Sequence, residues 1–490
     1  MEKPPRLKIP AEIYQFFTNP GGHSLIVRGT AGAGKTTFAL QTIEELSAAE
    51  WGFYHSTRVS DASLLTQFSW LKDKNEHLVR TDSFADARQV EGAKRTGLSD
   101  LKGVRNPPME VAKVGGLAIS IGKDLGELEA LYRCIEKNLP DKGLVVIDSI
   151  DALADRYGIS CSRLVTTIQR DIVEGYGSNV MFVLETSGAD IDYLGDGVVN
   201  FTCTEYNRRR LREMEIVKLR GCEIQQPKFI FTLDGGRVQA FGYQRNQISQ
   251  APRGPWRPLA DQNERVSFGL GDLDRSLSGG LEKGSITLLE LGQGVPTTVS
   301  NELESALVCN FVSLGRGVVW VPMRKASAEN ALTKIARHIS GEEIGRLVRI
   351  PEKADQMTSA GSGCVVPIEG ANAFSDFKWQ NIEYSLSTSK RPILSLMGFD
   401  TMQSMYGNDV SDQLMDFLAM VRRNNGIFVA LAPSSSASTH RLADLATTHI
   451  KIERIGGTVL MYGEEPFTEC YALNFEEREA GGNVALTRIL

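Results

Sequence analysis

Eight residues, Gly29 to Thr36, spell G-x-x-x-x-G-K-T within the stretch HSLIVRGTAGAGKTTFALQTIEEL. This pattern suits one task, wrapping backbone around a phosphate. Gly29, Gly32 and Gly34 let the chain curl so that successive N–H groups face an anion, with Thr30, Ala31 and Ala33 between them. Lys35 supplies a cation for the β- and γ-phosphates. Thr36 offers a hydroxyl to Mg²⁺, and Thr37 continues into the helix. A second acidic partner is needed, and KGLVVIDSIDAL provides it. There Asp148 ends an apolar run, placed to hold the metal with Thr36. The expected ligand set is therefore ATP with Mg²⁺.

Such residues work only when flanking elements aim them. Leu25 to Val27 read as a short buried strand. Phe38, Ala39, Leu40, Ile43 and Leu46 then recur at helical spacing, giving the strand–loop–helix context that the motif requires. WGFYHST and NVMFVLETS, the latter ending near Glu185, read as further parallel strands. Strand and helix alternate, which predicts an α/β, doubly wound, mostly parallel sheet with its ligand at the strand carboxyl ends.

The order of phosphate loop, VVIDSIDAL, FVLETS, DGVVNFTCTEYNRRRLREMEIVKLRG and FIFTLDGG resembles that of the RecA/KaiC-type ATPases. In that family a β-hairpin carries a K-x-R-G motif whose cations reach the ATP of the neighbouring subunit in a ring. The resemblance implies that role for Lys218 and Arg220, followed by Gly221. It also implies a homo-oligomer, as a ring or another head-to-tail assembly. One departure stands out. The family carries a Glu pair after its second strand to activate water, and HSTRVSDAS has Arg58 and Val59 there. Asp61 and Glu185 are the nearest substitutes, so slow hydrolysis is expected, with Glu185 as the candidate base. The entry segment LKIPAEIYQFFTNPGGHSLIVRG is more similar to archaeal gas-vesicle regulators of the GvpD type and related archaeal KaiC-like proteins. That resemblance implies regulatory work through a protein partner, a transcription activator.

The remainder of the chain reads as a second copy. At 490 residues two domains are expected. Residues 1–240 form the first. Residues 241–264, with Pro252, Pro255 and Pro258, read as a semi-rigid linker, and 265–490 as a degenerate domain. The fold class expected is thus two tandem RecA-like domains, each with a β-hairpin region. Laying IDSIDALADRYG on LMGFDTMQSMYG puts Asp400 at Asp151 and Met397 at Asp148. LGQGVPTT puts Pro296 at Gly34, Thr297 at Lys35 and Thr298 at Thr36. Pattern matching elsewhere puts Leu431 at Glu185, Leu460 at Lys218 and Tyr462 at Arg220. Lys35, Asp148, Glu185, Lys218 and Arg220 are all replaced in that alignment, while Thr36 is kept as Thr298.

The apolar fraction of 42% and charged fraction of 23% are ordinary for a globular chain, and the net charge of -6 excludes a polycation. The seven scattered Cys fit a reducing cytoplasm. The N-terminus has no apolar signal core, and no apolar run is long enough to span a membrane. Residues 87–116 are basic and Gly/Pro-punctuated and read as a solvated insertion. NRRRLR, residues 207–212, reads as part of the hairpin serving the subunit interface. Two rivals follow from the same residues. One is a DNA-binding recombination mediator, for which a compact basic, aromatic-rich loop is missing. The other is a scaffold that binds ATP without hydrolysing it, favoured by the missing Glu pair.

Overall fold

A computed structural model of the protein describes residues 8–46, 51–59, 61–71, 78–79, 112–114, 117–119, 126–186, 188–242, 254–323, 328–354, 363–475 and 484–490. The chain divides into two compact units, Met1–Gly242 (with which Leu490 is grouped) and Tyr243–Ile489.

The first unit is built on strands β1 (Ser24–Gly29), β2 (Trp51–Ser56), β3 (Leu78–Val79), β6 (Gly143–Asp148), β7 (Asn179–Val183), β8 (Gly197–Tyr206), β9 (Arg209–Leu219), β10 (Lys228–Thr232) and β11 (Gln239–Phe241). A separate short ribbon pairs β4 (Ala112–Val114) with β5 (Leu117–Ile119). The main sheet runs β11-β10-β9-β8-β1-β7-β6-β2-β3. Strands β8, β1, β7, β6, β2 and β3 are parallel, and β9 to β11 add antiparallel hairpins. The period-two rule assigns the faces. Leu25, Val27, Leu144 and Val146 meet the helix Lys35–Leu46 on one side. Ile26, Val145 and Ile147 meet the helices Gly126–Asn138, Ile150–Tyr157 and Cys161–Ile168 on the other. All six residues of β6 are buried, and each large aliphatic side chain there contributes about 1.5–3 kcal/mol. Two covered faces explain why these strands read as continuous apolar runs.

The second unit repeats the plan. Its strands are β12 (Arg265–Val266), β13 (Leu281–Glu282), β14 (Ile286–Leu291), β15 (Arg316–Val321), β16 (Val348–Lys353), β17 (Val365–Ile368), β18 (Lys390–Gly398), β19 (Ile427–Pro433), β20 (Thr448–Ile455), β21 (Thr458–Glu465), β22 (Tyr471–Phe475) and β23 (Val484–Arg488). β12 and β13 pair separately, and the main order is β17-β16-β15-β18-β19-β14-β20-β21-β22-β23. The run β15-β18-β19-β14-β20-β21 matches β2-β6-β7-β1-β8-β9 strand for strand. The expected fold class, two tandem doubly wound RecA-like sheets each extended by hairpins, is the observed one.

Two sequence readings fall on other ground. The basic stretch 87–116 lies outside the described residues, apart from Ala112–Val114. Residues 254–264, expected as spacer, pack on the second unit. Trp256 is buried, Asn310 binds the Leu259 amide at 2.8 Å, and Asp261 pairs with Arg316 at 2.6 Å.

Candidate nucleotide site

The phosphate loop leaves the centre of the first sheet, at the carboxyl end of β1. Two glycines are structurally required there. Gly29 has φ of 142°, and a Cβ on it would lie 2.1 Å from the Phe201 carbonyl oxygen. Gly34, with φ of 107°, turns the chain into the helix Lys35–Leu46. L side chains rarely adopt either conformation. Lys35 is 6% exposed. Its ammonium folds onto the loop, donating to the carbonyls of Gly29 at 2.7 Å and Thr30 at 3.0 Å. Burial lowers its pKa. The carboxylates of Glu185, Asp148 and Asp151 oppose that shift, and Arg58 adds to it. A cation held among acids inside a backbone cradle is poised for a polyanion.

Asp148 sits where it was expected, as the last residue of β6. Its Oδ2 accepts from the Thr36 hydroxyl at 2.7 Å and from the Tyr54 hydroxyl at 2.8 Å. Its carbonyl accepts from the Thr57 amide at 2.8 Å. Thr36 and Asp148 thus form a pair of hard oxygens suited to Mg²⁺, which takes one or two protein ligands and fills its shell with water and phosphate. The cradle and the donor set both fit MgATP.

Sequence reasoning missed Tyr54. Burial, and then Asp148, raise its pKa well above the usual phenol value, so its hydroxyl stays protonated and donates. A phenol in a strand beside the one that ends in the acid was the available signal. It also missed Arg212, whose Nη1 donates to the Gly32 carbonyl at 2.8 Å. Within NRRRLR, Arg209 and Arg212 are buried, while Arg208 and Arg210 are exposed. The stretch is therefore only half available as a surface.

Glu185 lies just beyond β7, near the other charges. Its amide donates to Asp151 at 2.9 Å, and its carboxylate pairs with Arg58 at 3.2 Å. Asp61 begins the helix Asp61–Gln67.

Lys218 and Arg220 are not brought to this loop within the subunit. Lys218 is level with Val198 on β8 and through it with Ile26, toward the opposite end of β1 from Gly29. Arg220 pairs with Asp196 at 3.2 Å, and burial followed by Arg220 lowers the Lys218 pKa.

The second unit preserves the geometry without most of the groups, and its register corrects four of the assigned equivalences. Val27 pairs Val183 as Leu289 pairs Leu431, so Leu431 answers to Val183 and Pro433 to Glu185. Asp148 pairs Val183 as Gly398 pairs Leu431, so in the sheet Gly398, not Met397, holds the place of Asp148. Lys218 pairs Val198 beside Ile26, as Glu465 pairs His449 beside Leu288. Glu465, not Leu460, therefore answers to Lys218. Arg220 lies beyond the end of β9, as Phe467 lies beyond β21, whereas Tyr462 is inside β21 and buried. The expected replacements at the loop stand as aligned. The helix Thr297–Ser313 begins at Thr297, preceded by Pro296 with φ of -63° where Gly34 has 107°. Pro296 has no N–H to donate, Thr297 brings no charge, and the acid is a glycine.

A doubly wound sheet with this loop at its central strand, joined by Thr36 and Asp148, defines a P-loop protein of the RecA/KaiC type. The chain has that architecture and is similar to GvpD and KaiC proteins. Residues 13–217 match the family described as GvpD gas vesicle protein, P-loop domain, and residues 255–344 match GvpD basic region 2. Protein GvpD1 of Halobacterium salinarum is 23% identical, with 98% of this chain and 96% of that protein covered. Protein GvpD2 of the same organism is 26% identical over the same shares. The circadian clock oscillator protein KaiC of Prochlorococcus marinus is 25% identical over 59% of this chain and 54% of its own length. No helix among the described residues is long and apolar enough to cross a membrane.

Proposed function

We propose that the first unit binds MgATP and hydrolyses it slowly, and that its nucleotide state governs a protein partner in a gas-vesicle regulatory setting. One observation carries this reading. Lys35, Thr36 and Asp148 converge on one loop in the first unit, whereas in the second Thr297 and Gly398 stand in place of Lys35 and Asp148 and only the hydroxyl of Thr298 remains. The loop amides and Lys35 bind and orient the triphosphate. Thr36 and Asp148 hold Mg²⁺, which supplies charge neutralisation of the phosphate oxygens. Glu185 is the base that takes a proton from water.

Similarity to two GvpD proteins over 98% of this chain, with the match to a gas vesicle protein family, supports the gas-vesicle setting; the partner we propose in it is a transcription activator. Lys218 and Arg220 support a head-to-tail assembly, since they lie away from their own loop and suit a neighbour's. The Arg58–Glu185 pair favours a second reading, a binder of ATP that does not turn it over, because the pair occupies the carboxylate that would have to take the proton from water. A single-turnover assay with radiolabelled Mg·ATP separates the two. Release of labelled phosphate by wild type but not by Lys35→Ala is the expected result. Bound ATP that stays intact would establish the scaffold.

A further inference from the structure

Arg58 occupies a place the chemistry above leaves unexplained. It follows β2 by two residues, as Glu185 follows β7. Ser56 and Val183 both pair with Asp148, on either side of β6. The two side chains therefore leave the sheet at the same level, two strand spacings or roughly 10 Å apart, and meet above the carboxyl end of β6. Their ion pair, at 3.2 Å, joins the segments that follow the two strands flanking β6. Both charges also bear on the Lys35 ammonium, where a γ-phosphate would lie.

The backbone on each side is fixed while the arginine tip is not. The Thr57 amide donates to the Asp148 carbonyl, the Val59 amide to Ser56 Oγ at 3.0 Å, and the Glu185 amide to Asp151. The Arg58 side chain is 59% exposed. An ion pair this exposed is worth little and breaks at small cost. A γ-phosphoryl group carries more charge than one carboxylate and matches the guanidinium fork with two oxygens.

We propose that Arg58 is a sensor of the terminal phosphate: its guanidinium leaves Glu185 for the γ-phosphate of ATP, freeing the carboxylate to act on water. This rests on the reading that the first unit binds nucleotide. ADP lacks the γ-phosphate and leaves the pair closed. With the pair open, Glu185 accepts one proton from water as the water oxygen bonds to the γ-phosphorus. The bond from that phosphorus to its bridging oxygen breaks, and its electron pair departs with ADP. The proton then passes to solvent.

The test compares ATP and ADP affinities by calorimetry, with Mg²⁺ present, for full-length wild type, Arg58→Ala, Arg58→Lys and Glu185→Gln. For Arg58→Ala, ATP affinity is expected to fall roughly tenfold or more while ADP affinity stays within about twofold, which also shows that the loop is folded. Arg58→Lys falls between. Glu185→Gln, which removes the competing carboxylate, binds ATP at least as tightly as wild type and releases no phosphate in a single turnover. Equal losses of ATP and ADP affinity in Arg58→Ala, or no loss of either, would overturn the sensor. Failure of wild type to bind either nucleotide would instead overturn the proposed function.

Discussion

At the scale of single residues, the site turns on one carboxylate oxygen. Asp148 Oδ2 accepts from both Thr36 and Tyr54, so its direction is set before any metal arrives. Tyr54→Phe removes one buried donor without changing the shape of the strand. The expected outcome is a stability loss of about 1 kcal/mol in denaturant unfolding, the usual net contribution of such a bond. An unchanged midpoint would show that the hydroxyl does not hold Asp148. Sequence made the charged residues legible because few other tasks need G-x-x-x-x-G-K-T ahead of an apolar strand ending in Asp. Tyr54 and Arg212 were not legible, because their roles depend on strands brought together from far apart in the chain. Arg58 was legible as a departure from the family pattern, but its pairing with Glu185 was not.

At the scale of elements, the repeat shows where pattern matching slips. Ser149 separates β6 from the helix Ile150–Tyr157, whereas Gly398 both ends β18 and precedes the helix Phe399–Tyr406. One residue is missing at that junction. Aligning Asp400 with Asp151 is therefore correct for the helices and carries Met397 one place out of sheet register. The second hairpin is also shorter, with β20 of 8 residues against 10 in β8, and β21 of 8 against 11 in β9. Matching LMYG to KLRG by appearance consequently misses the position that register assigns to Glu465. The helix Thr297–Ser313 carries a second consequence. Glu304 is buried on it, and desolvation pushes its pKa up to about 8, against pulls from the Met323 amide, Lys334 and Trp320. Its folded value lies above the unfolded value of 4.5, so the unfolded chain ionises first. Stability is then complete below about pH 4.5 and declines as pH rises toward 8, by roughly 3–5 kcal/mol if no rearrangement relieves it. Glu304→Gln is expected to flatten that decline in thermal unfolding between pH 5 and pH 8, a window set by the same shift. An unaltered slope would place the titrating group elsewhere.

At the scale of the molecule, the fold class was legible almost entirely, since strand and helix alternate with strong apolar periods and the second half can be laid on the first. The resemblance implied that Lys218 and Arg220 serve another copy, but their distance from their own loop was not legible in the sequence. Lys218 and Arg220 lie toward the far end of the central strands from Gly29, so trans action gives a clear expectation. Lys35→Ala and the double variant Lys218→Ala/Arg220→Ala should each lose ATPase activity alone. Mixing them should restore part of it, because one copy keeps the loop and the other the cations. No recovery on mixing, in a preparation shown to exchange subunits, would refute trans action. The central claim, however, is the division of labour along the chain, and the number of nucleotides bound tests it most directly. Equilibrium titration of the full-length protein with Mg·ATP is expected to saturate at one nucleotide per chain, to fall to none with Lys35→Ala, and to be unchanged by Thr297→Ala. Two nucleotides per chain, or equal losses from both substitutions, would contradict it.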